Sequence, residues 1–181
     1  MKRLVETKRF GAVEVEEEHV VHFKDGMVGF SQFKDYFLIE SPNVPLLLWL
    51  QSVDEPSIAF PVVEPYFFLR DYKAPMMEAD KFRLGYEASH TIKTLVVMTI
   101  PSDMTQMTVN MKAPILIDLD TSMATQVILQ DKHLLVRQAA HESFSKALAN
   151  VSVSTSTEES SSAEWFSVNP RRTGPGADKE I

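Results

Sequence analysis

The chain has 181 residues, of which 44% are hydrophobic and 24% are charged, a composition typical of a globular domain with a substantial core. Its net charge of -7 disfavours direct binding to nucleic acid, because phosphate contacts need a basic face. The chain contains no cysteine, which excludes disulfides, thiolate metal ligands and a cysteine nucleophile. We find neither the apolar core of a signal peptide nor a run long enough to span a membrane, so we expect a cytoplasmic protein.

The N-terminal region has the alternating pattern of short strands. Residues 4–15 alternate loosely between apolar and charged side chains, and Gly11 lies where a hairpin turn is needed. Residues 19–23 and 36–40 are two further short apolar segments. The pattern predicts one or two half-buried strands at residues 4–15, followed by two more strands.

The densest group of large apolar residues lies in residues 45–72. Residues 46–50 form an unbroken apolar run, and a β-branched and aromatic segment follows at residues 57–63. This pattern predicts two successive strands, the first of them buried on both faces. Four prolines exclude one long helix, and Pro61 is expected at a sheet edge or a bulge because it has no N–H group.

Residues 65–72 place several aromatic side chains close together. If this segment is a strand, alternation puts Tyr66 and Phe68 on one face and Phe67 on the other. Either two layers then cover the segment or one of its faces meets a partner. We favour core packing for most of these rings.

Residues 74–85 change to a helical pattern. Pro75 lies at the start of the segment and Gly85 at its end, which is the usual asymmetry of a short helix. The pattern predicts one short helix here.

The following segments return to strand-like patterns. Residues 94–100 predict a buried strand, residues 107–119 a strand that splits or bulges at Pro114, and residues 124–130 the last strand. About eight to ten short strands with one brief helix leave no crossover elements for a parallel sheet. The predicted fold is therefore mainly β, an antiparallel β-barrel or a barrel-like sandwich.

The C-terminal part differs in composition. Apolar residues recur at steps of three and four in residues 132–151, which predicts an amphipathic helix. Residues 152–181 are rich in Ser and Thr at first and then in Pro and Gly, and we expect a disordered tail because such a segment buries too little apolar surface.

The titratable residues show no spacing that predicts catalysis or metal binding. His19 and His22 are three residues apart, and on a strand they point to opposite faces. His90 stands alone, and no G-x-S-x-G motif supports Ser143 as a nucleophile. The glycines form neither a P-loop nor a dinucleotide-binding pattern. We therefore expect no enzyme activity, no metal ion and no cofactor.

Several blocks of the sequence together resemble the FliW family of bacterial flagellar assembly factors. The blocks are TKRFGAVEV at 7–15, HFKDGMVGF at 22–30, WLQSVDEPSIAF with PVVEPYFFLRDY at 49–72, MTVNMKAPILID at 107–118 and QVILQD at 126–131. They follow the family order and cover about residues 5–131, which is more specific than any short motif. The resemblance implies a FliW-like β domain at residues 1–131, with the segments 132–151 and 152–181 as departures from the family pattern.

The resemblance implies two protein partners. FliW-like factors bind flagellin before export and also bind the translational regulator CsrA, which relieves the repression of flagellin translation by CsrA. Flagellin competes for the factor, so the implied mechanism is partner exchange without catalysis. The alternatives are a flagellin chaperone without CsrA antagonism, or a small β-barrel ligand-binding domain or enzyme with a deep polar pocket.

The matching blocks also suggest where partners bind. A flagellin helix would lie in an apolar groove, or a partner strand would add to an open sheet edge near Pro61 or Pro114. Asn110, inside a strand-like block, either satisfies a backbone group or faces a partner. The predicted partner-binding residues are Tyr66, Phe68, Arg70, Asp71, Tyr72, Pro101, Ser102, Asp103, Met104, Met107 and Asn110.

Overall fold

A computed structural model describes residues 1–154 and 167–168, and these residues form a β-barrel with added helices. The twelve strands of the described residues are β1 (Lys2–Thr7), β2 (Gly11–Glu16), β3 (Val20–Phe23), β4 (Asp35–Glu40), β5 (Leu48–Ser52), β6 (Ala59–Val63), β7 (Ile92–Thr99), β8 (Thr108–Val109), β9 (Ile115–Asp118), β10 (Met123–Gln126), β11 (Gln138–Ala139) and β12 (Ser167–Val168). The α-helices are α1 (Glu78–Leu84) and α2 (His141–Ser154), and short 3-10 turns cover Glu17–His19, Pro65–Phe67 and Met104–Gln106.

Seven strands close into a ring in the order β3, β4, β5, β6, β7, β9 and β10. All neighbours in the ring are antiparallel except β3 and β10, where Met123 lies opposite His22. A ring with an odd number of strands cannot alternate direction throughout, so one parallel pair is required. The predicted mainly antiparallel barrel is confirmed, whereas the parallel pair was not predicted.

Strand β4 shows how the barrel and its surroundings share one apolar run. Tyr36 and Leu38 belong to the core cluster that fills the barrel, while Phe37 and Ile39 pack outside it. The hairpin of β1 and β2 covers this outer side, with Val13 among its buried residues. Because both faces of β4 are covered, residues 36–39 form a continuous apolar run and do not alternate with polar residues.

The predicted N-terminal hairpin is confirmed. Strands β1 and β2 pair in antiparallel register from Lys2 opposite Glu16 to Thr7 opposite Gly11. Gly11 has a φ of +71°, in the left-handed region that favours glycine. The Lys8 N–H group donates to the Pro56 carbonyl at 2.9 Å, which ties the hairpin turn to the loop between β5 and β6.

The two strands predicted in the central stretch form the β5–β6 hairpin, although Pro61 lies inside the ring and not at its edge. Strand β6 pairs with β5 at Pro61 and beyond, but its ladder to β7 involves only Val62 and Val63. The missing N–H group of Pro61 therefore interrupts no hydrogen bond to β7.

The strand considered for residues 65–72 is wrong. Pro65 begins a 3-10 turn, the Phe68 N–H group donates to the Pro65 carbonyl at 3.0 Å, and the Tyr72 N–H group donates to the Leu69 carbonyl at 3.1 Å. Successive turns replace the strand because Pro at the first position of a helical turn is already in the required conformation.

The C-terminal helix begins at His141, so the prediction of a helix from residue 132 is wrong in its first half. Gln138 and Ala139 instead form β11, which pairs with β8 and shows that β10 is not the last strand. The Ala140 N–H group donates to the Met107 carbonyl at 2.9 Å. The helical spacing of residues 132–140 is overridden by these long-range hydrogen bonds.

Strand β12 lies within the segment predicted to be disordered. Its residues pair in parallel with Leu38 and Ile39, next to the part of β4 that pairs with β3. The rest of the predicted tail after α2, residues 155–166 and 169–181, lies outside the described residues.

The short helix predicted at residues 74–85 is confirmed as α1, over a shorter range. Gly85 follows it in the left-handed conformation with a φ of +63°, and Asp80 Oδ2 accepts a hydrogen bond from the Met77 N–H group at 2.9 Å. The Arg83 side chain forms ion pairs with Asp25 at 2.6 Å and with Asp80 at 3.2 Å. Both ends of α1 are thus fixed by polar contacts.

A buried polar network lies beside α1. The Asp118 side chain is fully buried, and its Oδ2 atom lies 2.7 Å from His90 Nδ1. Its other oxygen accepts hydrogen bonds from the N–H groups of Asp120 at 3.0 Å and Thr121 at 3.2 Å. The hydrogen bond with Asp118 raises the pKa of His90 above its ordinary value. The Thr121 hydroxyl also donates to the Leu84 carbonyl at 3.3 Å, which connects this network to α1.

Candidate partner-binding face

Helix α2 contacts two segments that contain predicted site residues, residues 65–72 and residues 101–106. Helix α2 contacts both the 3-10 turn Pro65–Phe67 and the 3-10 turn Met104–Gln106, which are far apart in sequence. We call this surface the α2 face: α2 itself, residues 65–72 and residues 101–106. The fold thus brings residues 65–72 and residues 101–106, which are distant in sequence, into contact with the same helix.

Two of the predicted residues are part of the core beneath this face. Tyr72 is 4% exposed and Met107 is 3% exposed, and both belong to the cluster that also contains Phe144 of α2. The Tyr72 hydroxyl donates to the Met111 carbonyl at 2.7 Å, and burial raises the pKa of Tyr72. Both side chains are buried in the core and not exposed on the surface, and their role as contact residues stays a prediction.

Asn110 supports the backbone. Its Oδ1 atom accepts hydrogen bonds from the N–H groups of Lys112 at 3.2 Å and Ala113 at 3.1 Å. This is the first of the two roles considered for Asn110, and it shapes the turn between β8 and β9.

The turn at residues 101–106 presents a small exposed surface. Asp103 accepts hydrogen bonds from the Thr105 hydroxyl at 2.7 Å and the Thr105 N–H group at 3.0 Å, and these bonds lower the pKa of Asp103. Pro101 is half-buried, Ser102 is exposed, and Met104 is 49% exposed. Asp103 therefore fixes the turn, while Met104 provides its apolar surface.

A groove of about 510 Å³ lies between α2 and residues 66–70. Three predicted residues, Tyr66, Phe68 and Arg70, line its outer wall. Tyr66 is 47% exposed and Phe68 packs partly against the core below. Asp71 is exposed but does not line the groove. The groove therefore contains part of the predicted aromatic group, together with one basic side chain from the barrel.

The opposite wall of the groove comes from α2. These residues were not among the predicted contacts, although Ala147 and Val151 belong to the apolar stripe of the predicted helix. The α2 residues of the wall are Ser143, Lys146, Ala147, Asn150 and Val151. Helical periodicity predicts such a stripe, but it does not predict which barrel surface the stripe will meet.

A second groove of about 440 Å³ adjoins the first, and both are lined by Leu46 and Phe67. The second groove also contains Lys93 and Glu64, which form an ion pair at 2.7 Å. Leu46 has a φ of +71°, a left-handed conformation that costs about 1–2 kcal/mol for a non-glycine residue. Strain of this kind is often found where a side chain is held in a functional position.

Within residues 1–154 and 167–168, no three or more His, Asp or Glu side chains are gathered closely enough to hold a metal ion. None of the helices in this part of the chain combines the length and apolar character that crossing a bilayer would require.

Comparisons with known proteins agree with the fold. The family model described as "FliW protein" matches residues 3–140. Flagellar assembly factor FliW of Bdellovibrio bacteriovorus is 38% identical over 135 residues, which cover 75% of this chain and 77% of that protein. Flagellar assembly factor FliW of Lachnospira eligens is 35% identical over 147 residues, covering 78% and 97% respectively.

A solved structure shows the same architecture. The crystal structure of a flagellar assembly factor FliW superposes with a TM-score of 0.70 at 26% identity, covering 76% of this chain and 96% of that one. The matched family region includes the whole barrel and ends directly before α2. From the barrel, the matching sequence and the solved relative together, the chain belongs to the FliW family of flagellar assembly factors.

Proposed function

We propose that this protein binds flagellin and CsrA in the cytoplasm and passes between them without a catalytic step. Membership of the FliW family carries this proposal, because the resemblance implies both partners. Binding CsrA would relieve its repression of flagellin translation, and free flagellin would compete for the same protein. The outcome then depends on the concentrations and affinities of the partners.

The α2 face is the proposed binding surface. It combines two half-exposed side chains, the aromatic Tyr66 and the apolar Met104, with a groove that Tyr66 and α2 line. Aromatic residues and arginine contribute much of the binding energy in protein interfaces, and Arg70 lines the same groove. These properties suit a protein partner that offers an apolar surface of its own.

A helix in the groove is favoured over an added strand. The strand edges considered near Pro61 and Pro114 adjoin ring strands β6 and β9, each of which has a neighbouring strand on both sides, although β6 pairs with β7 only at Val62 and Val63. The Pro114 carbonyl accepts a hydrogen bond from the Val127 N–H group at 2.9 Å. Because a closed ring offers few free backbone groups, a partner is expected to use the apolar groove instead.

Calorimetric titration tests the proposal with the full chain. The protein is titrated with purified flagellin, with purified CsrA, and with each partner after saturation by the other. We expect binding to each alone and reduced binding to the second partner in the presence of the first. Binding to flagellin alone would favour a chaperone without CsrA antagonism. Binding to neither would overturn the proposed function and favour the alternative of a small β-barrel ligand-binding domain or enzyme.

Single variants then test the surface. Tyr66→Ala and Arg70→Glu are each expected to weaken binding of at least one partner by about tenfold, since both side chains line the groove. Phe82→Ala is the matched control, because Phe82 is a 74% exposed aromatic residue on α1. An equal loss of affinity in all three variants would place the binding surface elsewhere.

A further inference from the structure

Helix α2 follows directly after the part of the chain that matches the family. The family model ends at residue 140, and α2 begins at His141. The solved relative is covered over 96% of its length by 76% of this chain. The family model therefore covers the barrel, and α2 lies on the proposed binding surface directly after the matched region.

The first turn of α2 is firmly attached. Ala140 is 1% exposed and donates its N–H group to Met107, while β11 immediately before it pairs with β8. Phe144 is 3% exposed and belongs to the core cluster around Tyr72 and Met107. This end of the helix is thus held by buried apolar contacts and by backbone hydrogen bonds.

The second half of α2 is attached differently. Of residues 145–151, none is fully buried, and Ala147, Leu148 and Val151 are only half-buried. Leu148 packs against the core cluster, while Ala147 and Val151 border the 510 Å³ groove. Local opening is least costly where few side chains are buried, so opening this half is expected to cost less free energy than opening the first turn.

We propose that the second half of α2, residues 146–151, is a built-in competitor: it forms one wall of the groove, occupies the adjoining apolar surface through Leu148, and must move aside when a partner helix binds. This inference rests on the proposed function. The surface under this segment already holds an apolar helical stripe, which makes a second helix of the same kind a suitable occupant. Affinity for the partner is then reduced by the fraction of molecules in which the segment is closed.

The lining defines the chemistry of the occupant. The two charged residues among those that line the groove, Arg70 and Lys146, are both basic, and Lys146 moves away with the segment. Arg70 remains on the barrel beside Tyr66 and Phe68. The partner is therefore an amphipathic helix with an acidic residue beside its apolar stripe, which under the proposed function is a segment of flagellin.

Amide hydrogen exchange on the protein alone tests whether the segment opens. We expect the amides of residues 148–151 to exchange about a hundredfold faster than those of β5, with a rate independent of low denaturant concentrations. Exchange of both segments at the rate of global unfolding would overturn the inference, whether or not any partner binds.

A matched pair of variants tests the competition. Leu148→Asp places a charge on the docked side of α2, whereas Ala149→Asp places the same charge on its exposed side. Leu148→Asp is expected to tighten flagellin binding by about tenfold, and Ala149→Asp to change it by less than about twofold. Unchanged binding in Leu148→Asp would mean that the segment does not compete, and weaker binding would make it part of the contact surface.

Two further outcomes are decisive. Tighter binding of CsrA, but not of flagellin, by Leu148→Asp would overturn the assignment of flagellin as the occupant. Binding of neither protein to any variant would overturn the proposed function and the competition with it. Hydrogen exchange would then still decide whether residues 146–151 open independently.

Discussion

Helix α1 is half the length of α2, with seven residues against fourteen, but its C-terminal end is firmly attached to the rest of the fold. At the C-terminal end of α1, Leu84 is fully buried and Arg83 forms ion pairs with Asp25 and Asp80. Asp80 also accepts a hydrogen bond from the Met77 N–H group at the start of the helix. In α2, Phe144 is fixed in the core, while the following half-buried residues lie beside an open groove. Length therefore does not determine how firmly a helix is held. The distribution of buried contacts along it does.

The largest expected loss of stability comes from a substitution in α1. Leu84→Ala should lower the free energy of unfolding by about 3 kcal/mol, because it leaves a cavity in a fully buried cluster. Leu148→Ala should lower the same quantity by less than about 1 kcal/mol, because the barrel stays folded when this part of α2 opens. Urea unfolding followed by tryptophan fluorescence measures both. Equal losses would mean that the two helices are equally integral to the fold.

A smaller effect is expected from Tyr72, which lies in the core beneath α2. Tyr72→Phe removes the hydrogen bond to the Met111 carbonyl and should lower the free energy of unfolding by about 1–2 kcal/mol. Binding of flagellin and CsrA should stay within about twofold of the wild type, because the ring is buried. A loss of affinity without a loss of stability would support Tyr72 as a contact residue.

The pH dependence of stability should differ between the α1 side, which contains His90, and the α2 face, which contains Asp103 and Glu142. The pKa of His90 is raised, so its protonated form stabilises the fold below its unfolded value of about 6.5, and this contribution is lost as the pH rises through the raised pKa. Asp103 and Glu142 have lowered pKa values, so their contributions are present above their unfolded pKa values and lost as the pH falls through the lowered ones.

Urea midpoints measured between about pH 5.5 and 8.5 test this separation. The midpoint should fall with rising pH in the wild type, and His90→Gln should remove most of that dependence. His133→Gln is the control, since His133 is exposed. An identical pH profile for the wild type and His90→Gln would show that the pair of His90 with Asp118 does not set it.

The smallest effect is expected on the exposed surface of α2. Glu142 and Lys146 form an ion pair at 2.7 Å one turn apart, with both side chains largely in solvent. Glu142→Gln should change the melting temperature by about 1 °C or less, because exposed pairs contribute little. Thermal unfolding by circular dichroism measures the shift. A change of several degrees would mean that charges, and not Phe144, hold α2 in place.

Local patterns predicted most of the ring but not how it closes. Gly11 and the alternation around it predict the first hairpin, because the pattern depends on nearby residues. The run at residues 46–50 predicts the strand β5, which has core clusters on both faces but begins two residues later, at Leu48. The pairing of Met123 with His22 connects distant segments, and no period in the sequence encodes it. Residues 132–140 have helical spacing but lie where hydrogen bonds to Met107 and β8 are available.

The residues of the α2 face show the same difference between local patterns and contacts that depend on tertiary structure. Tyr66, Phe68 and Arg70 were identified from their position in a block that resembles the family, and the fold places all three on one groove. Tyr72 differs from them because its hydroxyl reaches Met111, a contact that depends on tertiary structure. The strained conformation of Leu46 has no signal in the sequence, since a leucine gives no indication of a positive φ.

The parallel pairing of β3 with β10 also determines when the barrel can first exist during synthesis. Strand β3 ends at Phe23, yet the segment that completes the ring beside it starts only at Met123. Until that segment leaves the ribosome, the nascent chain is at most an open sheet with two unsatisfied edges, the arrangement most prone to aggregation. A factor with this topology is therefore made in one late closing step, and chains released early cannot form the ring.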